Sequence, residues 1–174
     1  GTGYNYSNLG LNFAGAILEK VSGVRFDRYV KDSVIAPLGL HAGHNIDELD
    51  MSKCASIYRY RDGQYVASNA YGSVADRLDD YTMGYSAPMF SPTGGVKISA
   101  HDLATYMMMH MNYGELNGVR IISEESAKTM QTPVWIKLTD NYYEDQYGLC
   151  LMEFVDFLAD PHYNTPGNYP VGHT

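Results

Sequence analysis

Cysteine is nearly missing from this chain: Cys54 and Cys150 are the only two in 174 residues. That excludes a disulfide scaffold, and their spacing fits no metal site, so both are read as buried thiols. No apolar run approaches the roughly 18 residues a membrane-spanning helix requires, and the first residues lack the basic patch and apolar core of a signal peptide. Positive charge is scarce as well. Twelve Lys and Arg against 20 Asp and Glu give a net charge of −8 and a pI near 5.0, with no Lys/Arg cluster. Nucleic acid and anionic membrane are thereby disfavoured as main partners, which leaves small molecules and proteins. Nothing implies a cofactor.

What is present is ordinary for a folded domain: 45% hydrophobic and 18% charged residues, in a chain long enough for one real core. Tyrosine stands out, with 16 against five Phe and one Trp, a bias that suits pockets where a ring needs one polar end.

The most informative stretch is Tyr6-Ser7-Asn8. A tyrosine and an asparagine two positions apart at a helix entrance place a phenol beside a carboxamide, one to move protons and one to hold an amide. With ten Asn in the chain, about one Tyr-x-Asn is expected by chance, so context must support it. The context is a helix: Leu9, Phe13, Ala14, Ile17, Leu18 and Val21 recur three to four apart, with Ser7 or Asn8 as N-cap and Gly23 beyond the end. Free N–H groups and the positive dipole end would then face a ligand, although capping alone also accounts for Ser7 and Asn8.

Further along, Phe26 to Val34 predicts a second helix ending before Pro37, which makes a helical hairpin with the first. His41-x-x-His44-x-x-Asp47 imitates metal spacing, but it follows Pro and Gly and lacks a fourth ligand, so it reads as a polar surface loop. Ile57 to Arg61 and Gln64 to Ala67 flank Asp62-Gly63 as a hairpin with a two-residue turn. Ser68 to Pro92 predicts a long irregular crossing, and Ser99 caps a helix over Ala100 to Asn112 whose Met107-Met108-Met109 is adaptable core packing. Asn112 to Gly118 reads as a turn, Val119 to Ile122 as a short extended piece, and Ser123 opens a helix to about Met130. Asn141 to Gln146 is polar, Tyr147 to Val155 reads as one mostly buried strand, and Val171 to Thr174 as the entry to another.

In this order the segments resemble the serine β-lactamase-like and penicillin-binding protein family, in its class C β-lactamase, DD-peptidase and esterase branch. The resemblance rests on Tyr6-Ser7-Asn8 with the helix ending Glu19-Lys20-Val21-Ser22-Gly23, on Pro37-Leu38-Gly39-Leu40, on Gly94-Gly95-Val96 through Asp102-Leu103-Ala104, on Gly118 to Met130, and on Gly172-His173-Thr174, which resembles the start of the third catalytic motif. It implies an α+β fold: a helical subdomain with a short hairpin and part of a mostly antiparallel sheet. It also implies acyl transfer through an acyl-enzyme on a peptide, β-lactam or ester.

Carried over, Tyr6 would shuttle a proton and Asn8 would bind the substrate's acyl-side amide. His173, where many relatives have lysine, would share the proton network or favour a carboxylate, and Thr174 would bond that carboxylate or an ester oxygen. The family's nucleophile sits in a Ser-x-x-Lys motif, and none of the 12 serines here has Lys three residues later. Residues 1–174 are accordingly expected to be a single fragment, mainly the helical part, inactive alone and able to self-associate through an uncovered face. A non-catalytic module that binds cell-wall peptides or β-lactams is the alternative. A periplasmic or extracytoplasmic location is implied by the resemblance alone.

Overall fold

A computed structural model describes residues 7–68, 72–132, 134–138, 143–147, 152–154 and 171–172. The chain forms two compact units, Ser7–Met107 and Met108–Thr174, the latter grouped with Gly1–Tyr6.

In the first unit, α1 spans Asn8–Ser22 and ends at Gly23, whose left-handed φ of 70° lets its N–H reach the Glu19 carbonyl at 2.9 Å. Helix α2 (Phe26–Val30) continues directly into a π-helical turn over Lys31–Ile35, so the helix expected over 26–34 is wider in its second half. The largest described apolar cluster gathers Phe26, Ala87 and Phe90, with Ala16, Leu18, Val30, Val74 and Tyr81 packed around it, while Ile35, Ala42 and Ile46 are buried as well.

The apolar face expected of α1 is only partly the one it buries. Leu9, Phe13, Ile17 and Val21 remain 59–83% exposed. The packed side is instead the one carrying Gly15, Leu18 and Glu19. Gly15 has a packing reason, because a Cβ there would fall 2.5 Å from Pro92 Cγ. Side-chain volume explains the reversal: this face admits the neighbouring loop only where a side chain is absent.

Glu19 is fully buried. Its Oε1 accepts from the Phe26 N–H at 2.8 Å and from the Tyr81 hydroxyl, and its Oε2 accepts from the Gly84 N–H at 2.6 Å. Burial, followed by this bond, pushes the Tyr81 phenol well above its usual pKa and keeps it a donor. One carboxylate therefore ties α1 to the start of α2 and to the 81–84 turn. A second polar cluster sits beneath: Arg25 grips Asp27 through two bonds at 2.6 and 2.9 Å, Asn45 adds a third to Asp27 at 3.2 Å, and Glu48 takes Arg28 and Lys31 at 2.6 and 2.8 Å.

The histidine loop departs from its expected surface role. His44 is half-buried, donates from Nδ1 to the Phe90 carbonyl at 2.9 Å, and meets the Phe26 ring edge-on at 4.8 Å. Burial holds its pKa below the ordinary value. Asp47 accepts from the Val74 N–H at 3.0 Å. No group of three or more metal-ligating side chains occurs among the described residues.

Strand β1 (Ala42–Gly43) pairs antiparallel with β4 (Lys97–Ile98), joining the loop after α2 to the segment before α3 (Ala100–Met111). Ser99 Oγ accepts from the Asp102 N–H at 3.0 Å, the expected cap. Strands β2 (Tyr58–Arg61) and β3 (Gln64–Ala67) form the expected hairpin, with Asp62 and Gly63 at φ of 50° and 82°. The 68–92 crossing supplies short 3-10 turns at Ala75–Arg77 and Ala87–Phe90, and through the second it delivers Ala87 and Phe90 to the cluster around Phe26. Cys54 is half-buried rather than buried, and Cys150 lies outside the described residues.

In the second unit, β5 (Glu115–Leu116) and β6 (Val119–Arg120) form a hairpin through Asn117-Gly118, both at positive φ, where a simple turn is expected from the sequence. Helix α4 spans Glu124–Gln131, capped by Ser123. Strands β7 (Trp135–Leu138), β8 (Tyr143–Tyr147), β9 (Met152–Phe154) and β10 (Val171–Gly172) form an antiparallel sheet in the order β10-β9-β8-β7. Tyr147 faces Met152 across two strands, so the run from Tyr147 to Val155 is not one strand. The polar 141–146 stretch contributes most of β8, Tyr-Glu-Asp-Gln-Tyr, which has no apolar alternation to announce a strand.

Replacing Glu19 by Leu strands two backbone N–H groups and a phenol in the core. The loss expected is about 3 kcal/mol or more, against about 1 kcal/mol for Tyr81→Phe. Urea denaturation followed by circular dichroism reads both midpoints, and equal midpoints for Glu19→Leu and wild type would show that Glu19 is not a tether.

Candidate active site

The entrance to α1 is the part of the expected site that the described residues contain. Ser7, in an extended conformation, accepts from the Gly10 N–H at 3.3 Å and is the N-cap. That settles which of Ser7 and Asn8 caps. Asn8 is the first helical residue, exposed, with no hydrogen bond to its carboxamide among the described residues. The first turn holds no acidic side chain, so the positive end of α1 is not neutralised from within. A polar group that needs a donor or a positive field is favoured there.

Asn12 stands one turn further along the same face, and its Oδ1 is buried without a partner among the described residues. An unmet buried acceptor costs about 1–3 kcal/mol, so it marks a place where a donor is wanted. No motif in the sequence singled it out; its spacing of four from Asn8 was the available signal.

The helix carrying these groups is fixed from behind. Glu19 anchors its far end, and Gly15 seats its middle on Pro92, in the turn that leads to Gly94-Gly95. In that turn Ser91 adopts a left-handed φ of 49° and its carbonyl accepts from the N–H groups of Gly94 and Gly95 at 3.1 and 2.7 Å. A Cβ on Gly95 would collide with the Phe90 carbonyl and with Ser91, so the close turn requires glycine.

Of the expected site residues, Asn8 alone is described. Tyr6, His173 and Thr174 lie outside the described residues. The strand leading to His173 is in place up to Gly172, which faces Met152 of β9.

The family description "Beta-lactamase" matches residues 1–169. The chain belongs to the Beta-lactamase family. Members of this family are serine hydrolases of the β-lactamase and penicillin-binding kind. A protein of Escherichia coli O157:H7 provisionally named D-alanyl-D-alanine carboxypeptidase is 31% identical over 146 residues, covering 76% of this chain and 32% of that protein. Among solved structures, the octameric penicillin-binding protein homologue from Pyrococcus abyssi is 28% identical with a TM-score of 0.67, covering 99% of this chain and 33% of that one. The D-amino acid amidase from Ochrobactrum anthropi shares the fold at 16% identity and a TM-score of 0.62. The chain spans a third or less of the curated relatives it matches. The β-lactamase/transpeptidase-like α+β fold expected from the motifs is thus the fold observed.

Since Ser7 performs the capping, Ser7→Ala is expected to cost about 1 kcal/mol of stability and Asn8→Ala less than about 0.5 kcal/mol. Thermal unfolding of both variants checks this, and a larger loss at Asn8 would assign the cap to it and remove its freedom to bind a ligand.

Proposed function

We propose that the chain supplies the tyrosine–asparagine and histidine–threonine parts of the acyl-transfer site of a serine hydrolase that acts on peptide, β-lactam or ester carbonyls. The observation that carries this is the uncommitted Asn8 carboxamide at the unneutralised N-terminus of α1, in a chain of this family. In this reading a serine outside these 174 residues attacks the carbonyl, the acyl–serine bond forms, and the amine or alcohol leaves with the proton relayed by Tyr6. An ordinary phenol titrates near about 10, so Tyr6 needs a neighbouring cation or base to act at neutral pH, and His173 is the candidate within the chain. Asn8 holds the acyl-side amide in line for attack, and Thr174 bonds the substrate's carboxylate or ester oxygen.

The names of the relatives support peptide and lactam chemistry over other acyl transfers. A second reading, a module that binds cell-wall peptides or β-lactams without turnover, is favoured by one observation: the chain contains no Ser-x-x-Lys. The 174-residue chain is expected to take up no fluorescent penicillin or fluorophosphonate covalently, and stoichiometric labelling would overturn the assignment of the nucleophile elsewhere. In a protein that joins this chain to a Ser-x-x-Lys segment, Tyr6→Phe is expected to slow acylation by about 100-fold or more with the fold retained. An unchanged rate removes Tyr6 from the mechanism, and a protein that binds without acylating supports the second reading.

We also propose that copies of this chain self-associate through the exposed apolar side of α1, Leu9, Phe13, Ile17 and Val21. The octameric state named for the Pyrococcus homologue supports assembly as a property of such chains. Sedimentation velocity is expected to show oligomers that Phe13→Lys shifts toward monomer; monomer alone at high concentration would count against it.

A further inference from the structure

Within the first unit, and sharing no residue with the α1 entrance, a cleft of about 750 Å³ opens between the 49–57 segment and the stretch from Gly94 to Asp102. Its volume is in the range that holds a small organic molecule. Leu49, Ile57 and Val96 give it an apolar lining, and Leu49 sits against Gly43 where β1 pairs with Lys97 of β4.

The polar groups in the cleft are unevenly matched. Lys97 is half-buried and donates to the His44 carbonyl at 3.0 Å, yet no carboxylate pairs with it among the described residues. Burial lowers its pKa, the sign of a charge held in partly apolar surroundings without full compensation. Asp102, the one acidic side chain lining the cleft among the described residues, is already engaged, accepting from Ser99 Oγ at 3.0 Å in the cap of α3. Lys53 adds a second cation at the rim, paired only loosely with Asp50 at 3.8 Å. The start of α3 also lines the cleft, but Asp102 in its first turn offsets the positive dipole end there, so the cations of the cleft are Lys97 and Lys53. Apolar walls around an unbalanced ammonium select a ligand that carries one negative group on a hydrocarbon body.

We propose that this cleft binds a small amphiphilic carboxylate, an aryl or acyl acid, with its anionic group on Lys97 and its hydrocarbon against Leu49, Ile57 and Val96. A carboxylate replaces the water that Lys97 loses on burial and restores charge balance, while the hydrocarbon removes exposed apolar surface from solvent. A neutral isostere satisfies the second condition and not the first. The site does not depend on acyl transfer, so it stands or falls separately from the function proposed above.

Cys54 lines the same cleft and reports occupancy. The experiment treats the 174-residue chain with iodoacetamide and follows alkylation of the Cys54 peptide by mass spectrometry, with phenylbutyrate, phenylbutyramide or no addition. Saturating phenylbutyrate is expected to slow Cys54 alkylation by about tenfold, phenylbutyramide by less than about twofold. Lys97→Met is expected to abolish the protection and Lys97→Arg to keep it, each variant checked for native circular dichroism. If Lys97→Met does not fold, the comparison of acid with amide in wild type and Lys97→Arg decides. Equal protection by acid and amide, protection that survives in folded Lys97→Met, or none with either compound would overturn the proposal.

Discussion

The buried Glu19 carboxylate is the constraint on which the rest of the first unit depends. It gathers the Phe26 N–H, the Gly84 N–H and the Tyr81 hydroxyl into one place. The first belongs to the start of α2 and the other two to the 81–84 turn, and each would be an unsatisfied donor without it. An apolar residue of the same size could fill the volume, but it could not fix the angle between α1, α2 and the 81–84 turn. The geometry at the entrance of α1 follows from this. Asn8 lies 11 positions before Glu19 on a rigid helix, roughly 16 Å along its axis, so the anchor at one end aims the carboxamide at the other.

Local signals in the sequence carried the first unit well because they are chemical and short-range. Ser7 before a periodic run, Gly23 after it, Ser99 ahead of Asp102, and Asp62-Gly63 between two β-rich stretches each specify one backbone conformation with few alternatives. The same kind of signal was present at Asn117-Gly118, and there the strands were too short, two residues each, for alternation to reveal them. The reading of Tyr147 to Val155 as one strand failed for another reason. An apolar run does not say whether it extends or doubles back, and pairing of Tyr147 with Met152 is a tertiary outcome. The role of Glu19 was equally hidden: a glutamate in a polar Glu-Lys pair near a helix end looks solvated, and only the arrival of Tyr81 and Gly84, more than 60 residues later, shows otherwise.

For the site, the residue types were legible and the division of labour was not. Tyr6-Ser7-Asn8 left two candidates for the cap, and the bond from Gly10 to Ser7 resolves it. This matters for chemistry, because an asparagine spent on its own backbone could not also hold a substrate. The absence of an acid in the first turn works in the same direction, since an acidic side chain there would neutralise the field that a carbonyl oxygen or carboxylate would meet. Lys97 illustrates the opposite limit. Nothing in Gly95-Val96-Lys97 distinguishes a solvated lysine from one drawn half inside a cleft, because its surroundings come from His44 and Cys54, over 40 positions earlier.

Helix α1 finally shows how packing and function divide one element. Its inward side uses a glycine, a carboxylate and small or medium residues, a combination that sets position precisely and buries little apolar area. Its outward side carries Leu9, Phe13, Ile17 and Val21 in a row one turn apart, each more than half exposed. Burying such side chains is worth about 1.5–3 kcal/mol apiece, so the larger share of the helix's hydrophobic free energy is not used by the contacts described. A helix packed through its polar side, with its apolar side exposed, is a wall whose outer face suits a second body. Asn8 stands at the end of that wall, held by the polar side and adjacent to the unspent apolar one. If Asn8 holds the substrate as proposed, whatever covers the stripe also borders that place, and coverage of this helix is then coupled to the shape of the site.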